Sequence, residues 1–471
     1  MANNLKFESQ KLGINYFVVA AILFGAQLVM GLIAATQFLY PSFLFEIFDF
    51  SVARMVHINA LVVWMLYAMI GSVYYLLPDE TGIETVGIKL GKIAFYILTA
   101  AVTVVVLVYI LVQVGPATES TIWPINEGRE YIEAPRWADI GIVVVVLVFV
   151  FNLFATAMKG KQTGIVTVLM ADVLALAGLY LAGMFWTDNI SVDQYWWWWV
   201  IHLWVEATWE VFVAAVIGWA LIKVIGANRQ IVEMWLWIEV AMLFGSGILG
   251  IGHHYFWIGT PEYWWEIGAL FSALEPVPLV AMFVHVMYDW GKEKGHQEAS
   301  GGKAQMNNTP AFLWFCASAF GNFLGAGVWG FFHTLPQMNI YTHGTQFTSA
   351  HGHLAFFGAF AMAMIAMFYM GVQGNKKELK MTSLTKWGFA LITMGVVGMT
   401  VALTIAGYGQ VMIERAQFGA TWEAYFIGQS SVWFKQAMGW RLAMGLVTFV
   451  GFLFLVIDLL TIKNAKINQE S

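Results

Sequence analysis

The sequence predicts an all-α integral membrane protein with twelve transmembrane helices. Of its 471 residues, 60% are hydrophobic and only 11% are charged, whereas about 25% of the residues in an ordinary soluble domain are charged. Apolar stretches recur along the chain, and each is long enough to cross a bilayer core of about 30 Å, which takes about 20 helical residues. These observations exclude a water-soluble globular protein.

Twelve apolar stretches follow one another, bounded by turn residues or charges. The longest polar linker, near residues 291–307, is short, and the chain contains no low-complexity tract and no convincing internal repeat. We therefore predict a single domain formed by residues 1–471. The predicted spans cover residues 15–38, 52–77, 89–114, 136–157, 163–187, 194–224, 230–254, 264–290, 308–330, 345–373, 384–411 and 438–462.

Basic residues are unequally divided between the two sides of the predicted membrane. An even number of spans places both termini on one side, and short cytoplasmic loops collect Lys and Arg. Seventeen of the 23 basic residues fall on the side of the termini, which we therefore predict to be cytoplasmic. The polar first residues lack a cleavable signal pattern, so the first span is expected to be a retained anchor. The basic residues on the opposite side are Arg54, Arg129, Arg136, Arg415, Lys435 and Arg441.

Charge and cysteine content exclude several partners and metal sites. A formal net charge of −6 provides no basic field for a nucleic-acid backbone, so nucleic acid is excluded as a partner. The single cysteine, Cys316, cannot close an internal disulfide or form a thiolate cage or an iron–sulfur site. Any metal site therefore has to be built from histidines and carboxylates.

The sixth predicted span carries an unusual polar stripe. His202, Glu206 and Glu210 in WWWWVIHLWVEATWEVF are spaced by four residues and are expected to stack along one helix face. An ionisable residue at membrane depth is costly and needs a partner or a metal. The adjacent His253 and His254 end the next span, where both rings can be aimed at one centre. Three imidazoles with the Glu206 carboxylate favour a transition ion such as iron over copper.

Four further ionisable residues inside predicted spans are candidate site residues. His57 lies in the second span and Glu275 in SALEPVPLV, and a buried, hydrogen-bonded structural role remains the alternative for both. His351 and His353 in SAHGHLAFFGAF are separated by about 200° of helix rotation, so they face opposite ways. This arrangement suits two planar cofactors that flank one helix.

Other conspicuous side chains have simpler interpretations. The tryptophan run at residues 196–199 is typical of an interfacial aromatic belt. His333 and His343 are placed in the outer loop before the tenth span, where a structural role is the simpler interpretation. We therefore assign none of them to a site.

The motifs MVHINALVVW, HLWVEATWE, GIGHHYFWIGTPEYWW and THGTQFTSAHGHLAFFGAF occur in an order and at spacings compatible with twelve spans. Together they resemble the large catalytic subunit of cytochrome c-dependent nitric oxide reductases, in the haem–copper oxidase superfamily. The resemblance covers nearly the whole chain and implies a haem–copper oxidase-like bundle. It implies that His57 and His353 ligate a low-spin haem b, that His351 ligates a high-spin haem b, and that a non-haem iron is held by His202, Glu206, His253 and His254.

Three further features bear on the resemblance. The segment GREYIEAP is similar to the family's calcium segment and implies Glu130 as a calcium ligand. His202 is followed by Leu203 and not by the Pro-Glu-Val-Tyr run of the best-known oxygen-reducing oxidases. Ala207 departs from the glycine expected in relatives, a small change beside a ligand.

The resemblance also implies partners and a location. No C-x-x-C-H motif occurs in the chain, so covalent haem c is expected on a membrane-anchored cytochrome c subunit that forms a heterodimer with it. The quinol-fed form of these reductases carries a long hydrophilic N-terminal extension, whereas only about fourteen residues precede the first span here, so an electron-donating partner such as a soluble cytochrome c is expected. The complex would lie in the lipid bilayer of the bacterial cytoplasmic membrane.

The implied reaction reduces two nitric oxide molecules with two electrons and two protons to nitrous oxide and water. Glu206 is expected to tune the iron, while Glu210 and Glu275 are expected to relay protons. The outer acid-rich loop is a candidate proton entry, because no lysine within a span leads from the cytoplasm to the centre. This loop contains Glu127, Arg129, Glu130, Glu133 and Asp139.

Two other functions remain open from the sequence. One is an oxygen-reducing haem–copper terminal oxidase with a copper centre. The other is a proton-coupled transporter, since twelve spans and intramembrane acids are common in such carriers. Metal and haem content distinguish all three.

Overall fold

The computed structural model describes residues 5–114, 131, 133–299, 306–415 and 421–470. Within these ranges every regular element is a helix, apart from an isolated bridge between Asn308 and Leu379. Twelve helices of the described chain are long and apolar enough to cross a membrane. They are α1 Glu8–Gln37, α2 Phe50–Thr81, α3 Ile88–Tyr109, α4 Arg136–Lys159, α5 Gly164–Gly183, α6 Ile190–Ile225, α7 Arg229–His254, α8 Tyr263–Gln297, α9 Thr309–Thr334, α10 Gln346–Gln373, α11 Ser383–Ile413 and α12 Val432–Ile462.

The predicted fold class is confirmed, because each of the twelve predicted spans coincides with one of these helices. The largest differences are at the start of α1, which begins at Glu8 and not at residue 15, and at the end of α8. Polar turns beyond the apolar run remain helical. At the start of α1, Lys11 lies 2.6 Å from Glu8 in an i,i+3 ion pair that supports the added turn.

The chain divides into two compact units. The first contains Met1–Lys161, Lys386–Gly398 and Met438–Ser471, and the second contains Gln162–Thr385 and Met399–Ala437. In the second unit, α6 and α10 are the most buried spans, at 89% and 83% of their most apolar windows. These two helices therefore form the interior of the second unit, which carries most of the candidate site residues.

Close helix contacts in the second unit depend on small residues. Gly321 of α9 faces Gly358 of α10, and a Cβ added at Gly321 would lie 2.6 Å from the Gly358 Cα. Only glycine allows two helix backbones to approach this closely. The pair therefore fixes α10 against α9.

Several helices depart from regular α geometry near the candidate ligands. The π turns at Trp204–Trp209 in α6, Phe323–Trp329 in α9 and Phe356–Ala361 in α10 interrupt otherwise regular helices. A 3₁₀ turn, Ile251–His254, ends α7. Such turns occur frequently at functional sites, since they re-aim side chains that a regular helix would place elsewhere.

Candidate metal centre

Four of the predicted metal ligands come together in the second unit. His202, Glu206, His253 and His254 each offer one ligand atom, and these atoms all lie within 4.8 Å of one another. We call this set the His/Glu cluster. Helix α6 contributes two members and the 3₁₀ turn that ends α7 contributes the other two.

The Glu206 carboxylate lies at the centre of the His/Glu cluster. Its Oε2 is 3.2 Å from Nδ1 of His202 and 3.6 Å from Nε2 of His253. Its Oε1 is 3.3 Å from Nε2 of His254. Glu206 belongs to the π turn of α6, so the irregular turn carries the group that all three imidazoles approach.

The His202 ring is well suited to a bound cation. Both of its ring nitrogens are buried, and neither makes a hydrogen bond within the described part of the chain, although Nδ1 lies 3.2 Å from Glu206. A buried polar atom without a partner is costly. A metal ion would satisfy it, and three imidazoles with one carboxylate suit a transition metal.

Two residues that the sequence did not point to support the cluster. The Ser272 hydroxyl is 2.6 Å from Nδ1 of His253, which leaves Nε2 directed at Glu206. The ring of Trp198 stacks on His254, with centroids 4.8 Å apart and planes at 11°. Trp198 was predicted only as part of an aromatic belt, yet its position four residues before His202 would have placed it on the same helix face.

The two other predicted acids are also buried in the second unit. Glu275 Oε1 lies 3.9 Å from Nε2 of His202, so this carboxyl borders the cluster. Glu210 follows the π turn of α6, is 3% exposed, and has an Oε2 atom without a hydrogen-bond partner among the described residues.

The three predicted haem ligands share one feature. Nδ1 of His57 lies 2.8 Å from the Gln27 carbonyl in the first unit. In the second unit, Nδ1 of His351 lies 3.0 Å from the Gly325 carbonyl, and Nδ1 of His353 lies 2.7 Å from the Ser349 carbonyl of the same helix. When Nδ1 is held by a carbonyl, a ligand bond has to come from Nε2.

The placement of His333 in a loop was wrong. This residue lies within α9, and its ring centroid is 5.9 Å from that of His351. It contacts Thr348 Oγ1 at 2.9 Å and Thr342 Oγ1 at 3.2 Å. The helix continues past the predicted end through Phe331 and Phe332, and the Thr334 hydroxyl donates to the Phe331 carbonyl in its last turn.

The predicted proton entry is described only in part. Glu133 in the first unit accepts a hydrogen bond from Asn59 Nδ2 at 2.8 Å, and Asp139 is buried in α4. The calcium candidate Glu130 lies outside the described residues, as do Glu127 and Arg129.

Tyr255 immediately follows the cluster, in the loop after α7. Its hydroxyl donates to the Tyr195 carbonyl at 3.2 Å, and burial raises the pKa of this phenol to about 12. The phenol therefore stays protonated at neutral pH and remains a hydrogen-bond donor that links the end of α7 to α6.

Comparison with known proteins gives a consistent result. Residues 11–455 match the family model described as cytochrome c and quinol oxidase polypeptide I. A nitric oxide reductase subunit of Stutzerimonas stutzeri is 40% identical over 420 residues, which cover 88% of this chain and 86% of that protein. A cytochrome c oxidase subunit 1 homologue of Agrobacterium tumefaciens is 20% identical over 429 residues, which cover 85% and 74%.

A solved structure shares the fold. The cryo-EM structure of a haem–copper terminal oxidase dimer aligns with a TM-score of 0.70 over 97% of this chain and 84% of that chain. The two sequences are 16% identical, so the likeness concerns the fold alone.

Proposed function

Because the chain belongs to the cytochrome c and quinol oxidase polypeptide I family, we propose that it is the catalytic subunit of a nitric oxide reductase. In this function an oxidoreductase of denitrification converts two nitric oxide molecules, two electrons and two protons into nitrous oxide and water. The observation that carries the proposal is the Glu206 carboxylate at the centre of three histidines. An anionic oxygen ligand favours iron over copper.

The His/Glu cluster would hold the non-haem iron. When bound, this iron supplies electrons and a Lewis acid for the negative charge that develops on the substrate. The protein's contribution is orientation. Ser272 holds His253 with Nε2 toward Glu206, and the Trp198 ring restricts rotation of His254.

Glu275 and Glu210 are the proposed proton carriers. Glu275 Oε1 borders the cluster at 3.9 Å from His202 and would hold a proton beside the reacting nitric oxide. Glu210 lies further along α6 and would resupply it. Both carboxyls are buried and thus shielded from bulk water, so a proton that they carry can pass to the reaction as negative charge develops nearby.

We also propose haem ligands. His57 and His353 would ligate the low-spin haem b, and His351 the high-spin haem b. The support is the common arrangement in which Nδ1 meets a backbone carbonyl, so that Nε2 would be the ligand atom.

The remaining parts of the proposal rest on the family. The chain is a multi-pass membrane protein, and we place it in the bacterial inner membrane with both termini in the cytoplasm. Residues 1–471 would act as one catalytic domain, with a membrane-anchored cytochrome c subunit and a soluble donor such as cytochrome c supplying electrons. Calcium at Glu130 completes the proposed cofactors.

The test is metal and haem analysis of the purified complex together with nitric oxide turnover. We expect about one non-haem iron for each pair of haem b groups, no copper, and haem c on a second subunit. Stoichiometric copper with oxygen reduction would instead support a terminal oxidase. A protein without haem would support the proton-coupled transporter.

A further inference from the structure

A buried carboxyl in the middle of α7 has no part in the function proposed above. Glu239 is 1% exposed, and its Oε1 atom has no hydrogen-bond partner in the part of the chain that the structure describes. An unpartnered carboxyl inside a membrane-spanning helix is costly. Its position therefore needs a functional explanation.

Glu239 lies on the face of α7 that packs against α6. Between residues 232 and 250, the buried residues of α7 recur every three or four positions, apart from one adjacent pair, and form one stripe. They are Val232, Leu236, Glu239, Leu243, Ser246, Gly247 and Gly250.

Contacts at both ends of this stripe fix how α7 lies along α6. A Cβ added at Gly218 of α6 would lie 2.7 Å from Val232 Cγ1, and one added at Gly247 of α7 would lie 3.4 Å from Ala207 Cβ. The two helices are therefore antiparallel. Between these two contacts, Glu239 lies opposite a point on α6 that is about one helical turn C-terminal to Glu210. Glu239 is therefore on the side of Glu210 that faces away from the His/Glu cluster.

An offset of about one helical turn along two packed helices is within the range over which buried charges interact strongly. Each has one buried oxygen without a hydrogen-bond partner among the described residues. Two like charges in an apolar environment repel strongly, so the two carboxyls cannot both be ionised at low cost. The pair therefore retains at least one proton.

Other titratable groups near α7 leave this conclusion intact. Basic residues on α6, α7 and α8 lie near the helix ends, at Lys223, Arg229, Lys292 and Lys294. The other acids and imidazoles in the middle parts of the helices packed against α7 are Asp172 of α5, His202 and Glu206 of α6, and Glu275 and His285 of α8. His285 is hydrogen-bonded to Trp235 Nε1 at 3.0 Å.

We propose that Glu239 and Glu210 form a carboxyl pair that stores one proton for the reaction. The inference rests on the proposed function, and specifically on Glu210 as a proton carrier. When Glu210 has given up its proton, the O–H bond at Glu239 breaks and an O–H bond forms at Glu210. When Glu210 receives a new proton, the transfer runs in reverse: the O–H bond at Glu210 breaks and an O–H bond forms at Glu239, which restores the charge of the pair. Glu239 is thus a positioning residue that acts through Glu210.

The test compares Glu239→Gln and Glu239→Asp in the purified complex. Glu239→Gln removes the titratable group at nearly constant size. We expect it to abolish a protonated-carboxyl band in the infrared difference spectrum between oxidised and reduced enzyme. We also expect a several-fold loss of nitric oxide turnover that is largest at alkaline pH, where protons are scarce. Haem and iron content should be unchanged, and Glu239→Asp should restore the band and part of the turnover.

Glu233→Gln is the matched control on the same helix. Glu233 is half-buried and lies 3.1 Å from Arg229 at the start of α7, away from the carboxyl pair. We expect the turnover, pH profile and infrared spectrum of this variant to match those of the unmodified enzyme.

The outcomes separate the inference from the function on which it rests. If Glu239→Gln leaves the band and the pH profile unchanged while Glu210→Gln slows turnover, the stored-proton pair is wrong and the proposed function stands. If Glu210→Gln also leaves turnover unchanged, the proton-carrier role of Glu210 is wrong and the pair is wrong with it. Should Glu239→Gln assemble without haem, Glu239→Asp decides, because it keeps a carboxyl in a shifted position: a protonated-carboxyl band at the same frequency as in the unmodified enzyme would show that the band does not come from Glu239 and would overturn the inference.

Discussion

The Glu206 carboxylate is the residue on which the candidate metal centre depends, since it approaches all three histidines within 3.6 Å. Glu206→Gln removes its charge and replaces one oxygen by an amide donor that repels a cation. We expect non-haem iron to be lost while haem b content is retained, with turnover reduced about 100-fold or more. Elemental iron and haem quantitation measure this directly. Full iron occupancy in the variant would contradict the assignment of Glu206 as a ligand.

Ser272 provides a finer test at the same scale. Its hydroxyl is the partner of His253 Nδ1 at 2.6 Å, and Ser272→Ala leaves that nitrogen without it. Loss of such a supporting hydrogen bond typically lowers metal affinity about 10- to 100-fold. We therefore expect faster loss of iron to a chelator.

The control for Ser272→Ala is Ser246→Ala. The Ser246 hydroxyl donates to the Met242 carbonyl within its own helix. Among the described residues it makes no hydrogen bond to a member of the His/Glu cluster. Equal iron retention in the two variants would remove Ser272 from the site.

At the scale of single helices, the contact between α9 and α10 positions His351. The π turn of α9 presents the Gly325 carbonyl to His351 Nδ1 at 3.0 Å, and the nearby glycine pair Gly321 and Gly358 sets the separation of the two helices. Gly321→Ala would bring its Cβ to 2.6 Å from the Gly358 Cα, so the helices have to move apart. We expect a destabilisation of about 1–3 kcal/mol and weaker retention of the high-spin haem b.

Thermal unfolding followed by haem absorbance tests this expectation. Gly245→Ala on α7 is the control, because a Cβ there meets nothing within 4 Å and alanine favours the helix. If Gly321→Ala retains haem as Gly245→Ala does, the helix contact does not position His351.

The helices also indicate which features a sequence can predict. Each span is defined by its own run of apolar residues, so hydropathy located all twelve. The pairing of His202 with Glu206 follows from helical spacing. The π turns arise from packing between helices, and Ser272 meets His253 only because α8 returns beside the end of α7. The sequence of a single helix predicts neither the π turns nor the contact between Ser272 and His253.

Glu239 illustrates a different reason for an omission. It stands in an apolar span, as Glu275 does, but it lies 14 residues before the histidines that end the span, and no motif includes it. Its relation to Glu210 depends on the antiparallel packing of α6 and α7, which a one-dimensional pattern does not contain. The sequence shows that an acid in an apolar span is energetically costly, but the role proposed for Glu239 follows only from its packing against α6.

For the whole molecule, the testable property is orientation in the membrane. Both termini are predicted to be cytoplasmic, because short loops that retain Lys and Arg stay on that side during insertion. The loop between α6 and α7 follows Lys223 and precedes Arg229, so it belongs to the same side. The loop between α7 and α8, residues 255–262, contains no Lys or Arg and belongs to the opposite side.

Reporter fusions measure this orientation. A phosphatase that is active only outside the cytoplasm should be inactive when fused after Ser471 or inserted at Ala227, and active when inserted at Gly259. A fluorescent protein that matures only in the cytoplasm should give the reverse pattern at the same three positions. The two reporters control for expression, since each site has to score with one of them. Phosphatase activity at Ser471 and Ala227 together would invert the assignment.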